Sequence, residues 1–308
     1  MRGPVPSKHR GIEELQRICP ALPAVRSAYT KLAACYQILG KIGAIPPKVA
    51  FPKAKPLIAK ALELDSQFAS AHAQRGWGLL DYDFDFAAAG AELQRAVELN
   101  PNGADGHLGL SDYYKAMGRL QESVQEAQRA RELDPLDVIV NLNLCDTLYF
   151  ARRYEEALAQ GKANLDLDPG SPIPHGQLGA IYAAKGMNSE AASEFLRSHE
   201  LGGDSPALIA ALQAGVRDSG LTGFWTAWLR FQRASIAAGK EDPMLLAGLY
   251  IRTGDTDKAL IWLEKAFKAG RTPIIYLGVD PTFDSLRSNP RFASLLRRIG
   301  LPQSQIRN

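Results

Sequence analysis

Cysteine is scarce in this 308-residue chain: there are three, Cys19, Cys35 and Cys145, far apart and without a CxxC pair. A disulfide framework needs more sulfur at closer spacing, and a reducing cytoplasm fits this usage. Charge of one sign is short as well. Thirty-six Lys and Arg against 33 Asp and Glu leave +3, too little to argue for a nucleic-acid or anionic-membrane partner. No apolar run approaches the roughly 20 residues of a membrane span. The opening Met1-Arg2-Gly3-Pro4-Val5-Pro6-Ser7-Lys8 lacks the apolar stretch of a secretory signal, and residues 1–10 read as a flexible tail. A glycine-rich phosphate loop, GxSxG and HExxH are missing too, and no cysteine falls beside a histidine. An enzyme is not expected; no catalytic residue, metal ligand or cofactor is assigned.

What the chain does have is a period. Ala96-Val97-Glu98-Leu99-Asn100-Pro101 returns as Ala130-Arg131-Glu132-Leu133-Asp134-Pro135 and as Leu165-Asp166-Leu167-Asp168-Pro169, with the prolines 34 residues apart. A copy ending at Ser66 precedes them, and one running into Gly202-Gly203 follows. Twelve residues before the proline position stand Ala54, Ala89, Ser123, Ala157 and Ala191; five before it stand Ala61, Ala96, Ala130, Asn164 and Ser198. Small residues at two fixed points mark where two helices cross closely. With 46 % apolar residues there is ample material to bury, and a helical hairpin repeated at this period buries its apolar face against its neighbours.

Those positions, together with Leu178-Gly179…Tyr182, Leu110-Ser111…Tyr114 and Leu32-Ala33…Tyr36, resemble the tetratricopeptide repeat (TPR) family over roughly residues 24–270. The resemblance implies an all-α fold, a helical-hairpin solenoid wound as a right-handed superhelix with a C-terminal capping helix. About seven hairpins are expected over residues 11–300: regular from 67 to 203, degenerate from 205 to 240, a last one at 243–270 and a cap at 282–300. Gly11–Cys19 reads as the second helix of a truncated repeat. In the first hairpin Gly40-Lys41-Ile42-Gly43-Ala44-Ile45-Pro46-Pro47 adds nine residues, and its glycines and paired prolines predict an extended excursion.

Two patterns invite ion binding. Asp81-Tyr82-Asp83-Phe84-Asp85-Phe86 with Glu92 has calcium-loop spacing, but Phe86 stands where the turn needs glycine; Asp83 or Asp85 is expected to cap the next helix instead. His72, His107 and His175 share one repeat position. Equivalent positions in neighbouring hairpins are about 8–10 Å apart, against the ~2 Å of a zinc–nitrogen bond, so they cannot share an ion. Phe224, Trp225, Trp228 and Phe231 read as bulky core of the degenerate unit, with self-association through them as another reading.

In the TPR family the first helices line a concave groove. The resemblance carries that groove onto Trp77 and Asp81 in the second hairpin, Asp112 and Lys115 in the third, and Asp146, Tyr149 and Phe150 in the fourth. Ile173, Gly176 and Ala180 hold these positions in the fifth. The chaperone-binding clamp of some members is absent, because its positions hold Ala73, Trp77 and Leu108. Trp77, Tyr149 and Phe150 are the expected anchors, with plain core as the competing reading. Ile45-Pro46-Pro47-Lys48 and Asp280-Pro281-Thr282-Phe283-Asp284-Ser285-Leu286-Arg287 resemble TPR regions behind winged-helix, kinase or cyclase modules of bacterial regulators. The expectation is therefore a non-catalytic scaffold for a protein or peptide partner, with no small-molecule substrate and no membrane. Nucleic-acid contact through Arg287, Arg291, Arg297 and Arg298 is the alternative.

Overall fold

A computed structural model describes residues 26–237, 241–270 and 272–302, and among them there is no strand. The tail at 1–10 and the expected helix over Gly11–Cys19 lie outside these residues. The chain forms two compact units, residues 26–113 with 270 and 272, and residues 114–269 with 273–302.

The first unit contains α1 (Arg26–Lys41), α2 (Pro47–Leu64), α3 (Ala69–Gly78), α4 (Phe86–Leu99) and α5 (Ala104–Ala116), of which the last three residues belong to the second unit. The excursion expected at 40–47 does not form. Helix α1 continues through Gly40 to Lys41, and Pro47 opens α2, where its missing N–H costs no helical bond. Compared with the third hairpin, the nine extra residues fall as three in the first helix, four in the second and two in the turn. Gly40 fits inside the helix without a side chain because α2 leaves no room for one: a Cβ there would stand 2.9 Å from the Ala50 Cβ and 3.0 Å from the Phe51 ring. The same logic fills α3. Leu93 of α4 is fully buried, and a Cβ on Gly76 or Gly109 would come within 2.5 or 2.3 Å of its side chain.

The second unit contains α6 (Leu120–Leu133), α7 (Val138–Phe150), α8 (Tyr154–Leu167), α9 (Pro172–Ala184), α10 (Asn188–Leu201), α11 (Pro206–Ala237), α12 (Pro243–Arg252) and α13 (Thr256–Lys268). The 3-10 turns Thr272–Tyr276 (in this unit from residue 273) and Pro281–Leu286 follow, then α14 (Pro290–Ile299). Ala157 and Ala191 are sealed at their helix crossings, as Ala54, Ala89 and Ser123 are at theirs. Helix α11 is a hairpin in its own right, folded back at Ser219 and Gly220.

The period is written into the backbone. Phe84, Gly118, Arg152, Gly186, Gly220 and Gly254 all have positive φ, between 55° and 85°, and each lies 34 residues after the one before. Every one of these corners needs positive φ (Gly220 with ψ −139°), which glycine reaches without strain and Phe84 and Arg152 reach at a cost of about 1–2 kcal/mol. The sixth hairpin, degenerate in sequence, keeps the register at Gly220.

Beyond residue 272 the chain is core as much as cap. Ile274, Ile275, Leu277, Val279, Phe283 and Leu286 are all buried, as are Phe292, Leu295, Leu296 and Ile299 on one side of α14. The other side carries arginines joined to the chain itself: Arg291 to Asp257 at 3.2 Å and Arg298 to Glu264 through two bonds of 2.8 and 3.0 Å. Arg287 donates to Asp284 at 2.7 Å. Three of the four arginines in the nucleic-acid reading are thus engaged within the protein.

Candidate functional site

The histidine position is structural. His72 and His107 each bring Nε2 to 3.0 Å from the carbonyl of the residue six before, Ser66 and Pro101, and Asn141 donates to the Pro135 carbonyl at 2.9 Å in the equivalent place. A polar side chain in the first helix thereby ties down the turn between hairpins. The Asp81–Glu92 acids also find protein partners. Asp85 accepts from the Ala88 N–H as an N-cap, Asp83 pairs with Lys55 at 2.7 Å, and Glu92 meets His72 and Arg75. Among the described residues no group of three or more metal-ligating side chains comes together.

The expected groove residues fall into two clusters. In the first unit Trp77, Asp81 and Asp112 converge. The Trp77 Nε1–H donates to Asp112 Oδ2 at 3.2 Å, and the Lys41 ammonium stands 3.3 Å from Asp81 and 3.7 Å from Asp112. Both carboxylates are buried, at 3 % and 7 % exposure. Burial works to lower the Lys41 pKa, but the two acids outweigh it and hold the ammonium above its usual range. Sequence reasoning misses Lys41, whose hairpin is out of register with the others.

In the second unit Asp146, Tyr149 and Phe150 line one cleft of about 400 Å³ with Ile173, Gly176, Gln177 and Ala180. Lys115 is buried beside Thr147, its ammonium 5.7 Å from the Phe150 ring centroid and 5.1 Å from that of Tyr276. Tyr276 in turn packs on Phe150 at 5.8 Å. Tyr149 is bonded to Thr282, and burial, with help from the Asp280 charge, pushes its phenol up. Arg152, at its left-handed corner, donates to the Val279 carbonyl at 3.0 Å and grips Asp284 at 2.8 and 3.1 Å. The C-terminal segment therefore covers one side of Tyr149 and Phe150, and the cleft shows the other.

Asp146 is positioned by a buried amide chain. Asn164 Oδ1 accepts from Gln160 at 2.8 Å, and Gln160 reaches Asn141 at 3.1 Å. Asn164 Nδ2 also reaches Gln177, which donates to Asp146 at 2.8 Å. Three other repeats hold alanine where Asn164 stands, so by pattern Asn164→Ala should be harmless. The hydrogen bonds predict the reverse: the substitution strands buried amides and should cost about 1–3 kcal/mol, read as a lower midpoint in urea unfolding.

Comparison with known proteins places this arrangement. Residues 244–269, spanning α12 and α13, match the family described as tetratricopeptide repeat. No curated protein matches at a significant level. The fold is similar to that of a chain in the APC/C hetero-tetramer Cut9–Hcn1, with TM-score 0.61 and 14 % identity over 95 % of this chain and 52 % of that one, so this chain spans about half the length of that chain. It is also similar to PilW, a type IV pilus biogenesis factor, with TM-score 0.54 and 19 % identity over 72 % of this chain and 96 % of that one. TTC0263, a thermophilic TPR protein of Thermus thermophilus, gives TM-score 0.51 and 18 % identity over 63 % of this chain and 99 % of that one. The 34-residue corners and the sealed small-residue crossings thus accompany a tetratricopeptide repeat match at residues 244–269, and the fold is that of tetratricopeptide repeat proteins.

Proposed function

We propose that this protein is a non-catalytic scaffold that holds a segment of a partner protein along the first helices of its hairpins, in bacterial transcriptional or signal control within the cytoplasm. Trp77, Asp81, Asp112 and Lys115 would serve as positioned groove residues, and Asp146, Tyr149 and Phe150 as the floor of the binding cleft. The observation that carries the reading is a repeated exposed apolar position: Ile139 on α7 and Ile173 on α9, one repeat apart, are 55 % and 54 % exposed, and Ile173 lines the cleft. Large apolar side chains held in water at equivalent positions have no packing role, whereas a partner crossing the hairpins would cover both. Successive positions about 8–10 Å apart match every third residue of an extended segment at about 3.3 Å per residue. The partner chemistry expected is therefore apolar side chains at that spacing.

A displayed random-peptide library selected on the wild-type protein tests this. Selected peptides should lose about tenfold or more in affinity on the Ile173→Asp, Ala180→Arg double variant. Both positions are at least partly exposed, so the unfolding midpoint should hold. Undiminished binding by that variant would remove the cleft from the proposal.

A further inference from the structure

Beside the cleft just described lies a larger cavity of about 510 Å³, in the size range of small-molecule sites, between α9, α10, α12, the second arm of α11 and the Pro281–Leu286 turn. One wall is aromatic. The Phe195 and Trp225 ring centroids are 4.8 Å apart edge to face, and Trp225 and Trp228 stack at 6.0 Å. Opposite stands a cation. Arg252 lies with its guanidinium carbon 4.8 Å over the Trp225 ring, donating to the Gly248 carbonyl at 3.3 Å and the Thr282 hydroxyl at 3.1 Å. A guanidinium has five N–H donors, and these two acceptors are neutral. Among the described residues Arg252 forms no ion pair.

The acids nearby are committed elsewhere. Asp280 lines the cavity and its charge acts on Arg252 through space, but its carboxylate caps the 3-10 turn by accepting from the Thr282 N–H at 2.8 Å and makes no contact ion pair with the guanidinium; burial raises its pKa. Asp204 is held by His199 at 2.7 Å. The Trp228 indole N–H, on the aromatic wall, is buried without an acceptor. The cavity thus offers apolar area together with unspent donors, and no carboxylate pairs with Arg252 at contact distance.

We propose that this cavity is a binding site for a small organic acid: an aromatic or branched apolar body lying against Trp225, Trp228 and Phe195, with one carboxylate taken by the Arg252 fork. Arginine suits that task because its planar donors match a carboxylate two to two. The site makes the scaffold responsive to a metabolite, and it stands whether or not a protein segment occupies the neighbouring cleft.

Calorimetric titration with three matched probes, 4-phenylbutanoate, 4-phenylbutanamide and 4-phenylbutylamine, tests it. The carboxylate should bind saturably at one site and about tenfold or more tightly than the amide, with the amine no better than the amide. In Arg252→Gln that preference should fall to about one while the amide binds as before. Met244→Trp, which fills the cavity from α12 and leaves Arg252 in place, should abolish binding of all three, and it supplies the test if the arginine variant does not fold. Equal affinity for acid and amide, preference for the amine, an unchanged preference in Arg252→Gln, undiminished binding in Met244→Trp, or no saturable binding of the carboxylate by the wild type would each overturn the proposal.

Discussion

Replacing Lys41 by methionine is expected to destabilise the first unit by about 2–4 kcal/mol. Removing one member of a fully buried ion pair costs about 3–5 kcal/mol, because the charge left behind has lost its water as well as its partner. Here two carboxylates, Asp81 and Asp112, would be left so, but the Lys41 side chain is 35 % exposed and some water would reach them, which lowers the expectation. Amide hydrogen exchange in peptides from α1, α3 and α5 reads the effect locally. The triple variant Lys41→Met, Asp81→Asn, Asp112→Asn should regain most of the loss, since the charges that needed the ammonium are gone. A single variant as well protected as the wild type would show that the cluster adds nothing. The pH dependence has a definite sign. The folded pKa of Lys41 is raised, so its contribution is complete below the ordinary lysine value of about 10.4 and is lost as pH climbs through the higher folded value.

The second large effect is expected from Gly223→Ala. The two arms of α11 touch backbone to backbone: a Cβ on Gly223 would stand 1.9 Å from the Gly215 carbonyl oxygen, and one on Gly215 would stand 2.4 Å from the Gly223 oxygen. A backbone atom cannot swing aside as a side-chain tip can, so the arms must separate, and Phe224 and Trp225 move with them. Overpacking of this kind costs about 3 kcal/mol or more, seen as an early transition in tryptophan fluorescence. Gly186→Ala is the internal comparison. It stands at a left-handed corner with nothing within 4 Å of the new Cβ, so only the backbone penalty of about 1–2 kcal/mol applies. Similar losses at the two glycines would refute the close-approach account.

The two glycines show where the sequence speaks and where it is silent. The 34-residue period, the small crossings at Ala89, Ser123, Ala157 and Ala191, and the corners at Gly118, Gly186 and Gly254 are all legible, because each reports a constraint that recurs. Phe84 and Arg152 take the same corner conformation without the residue that advertises it, and only register finds them. The first hairpin misleads at 40–47 because glycine and proline signal a break equally when they sit at a helix crossing or at a first helical turn. Asp146, Tyr149 and Phe150 follow from the repeat register, and the structure brings them together with Ile173, Gly176 and Ala180. Lys41, Arg252 and the Thr282 partner of Tyr149 carry no periodic mark. Their contacts join parts of the chain that the repeat does not relate.

The clasp between Arg152 and Asp284 spans 132 residues, and that interval has a meaning during biosynthesis. Helical hairpins close on themselves within tens of residues and can fold as they leave the ribosome. Tyr149 and Phe150 would then be complete in every respect except for the residues that shelter them from behind. At about 5–20 residues per second that shelter follows on the order of ten seconds later, and for that interval the back of this aromatic pair stays uncovered on the nascent chain.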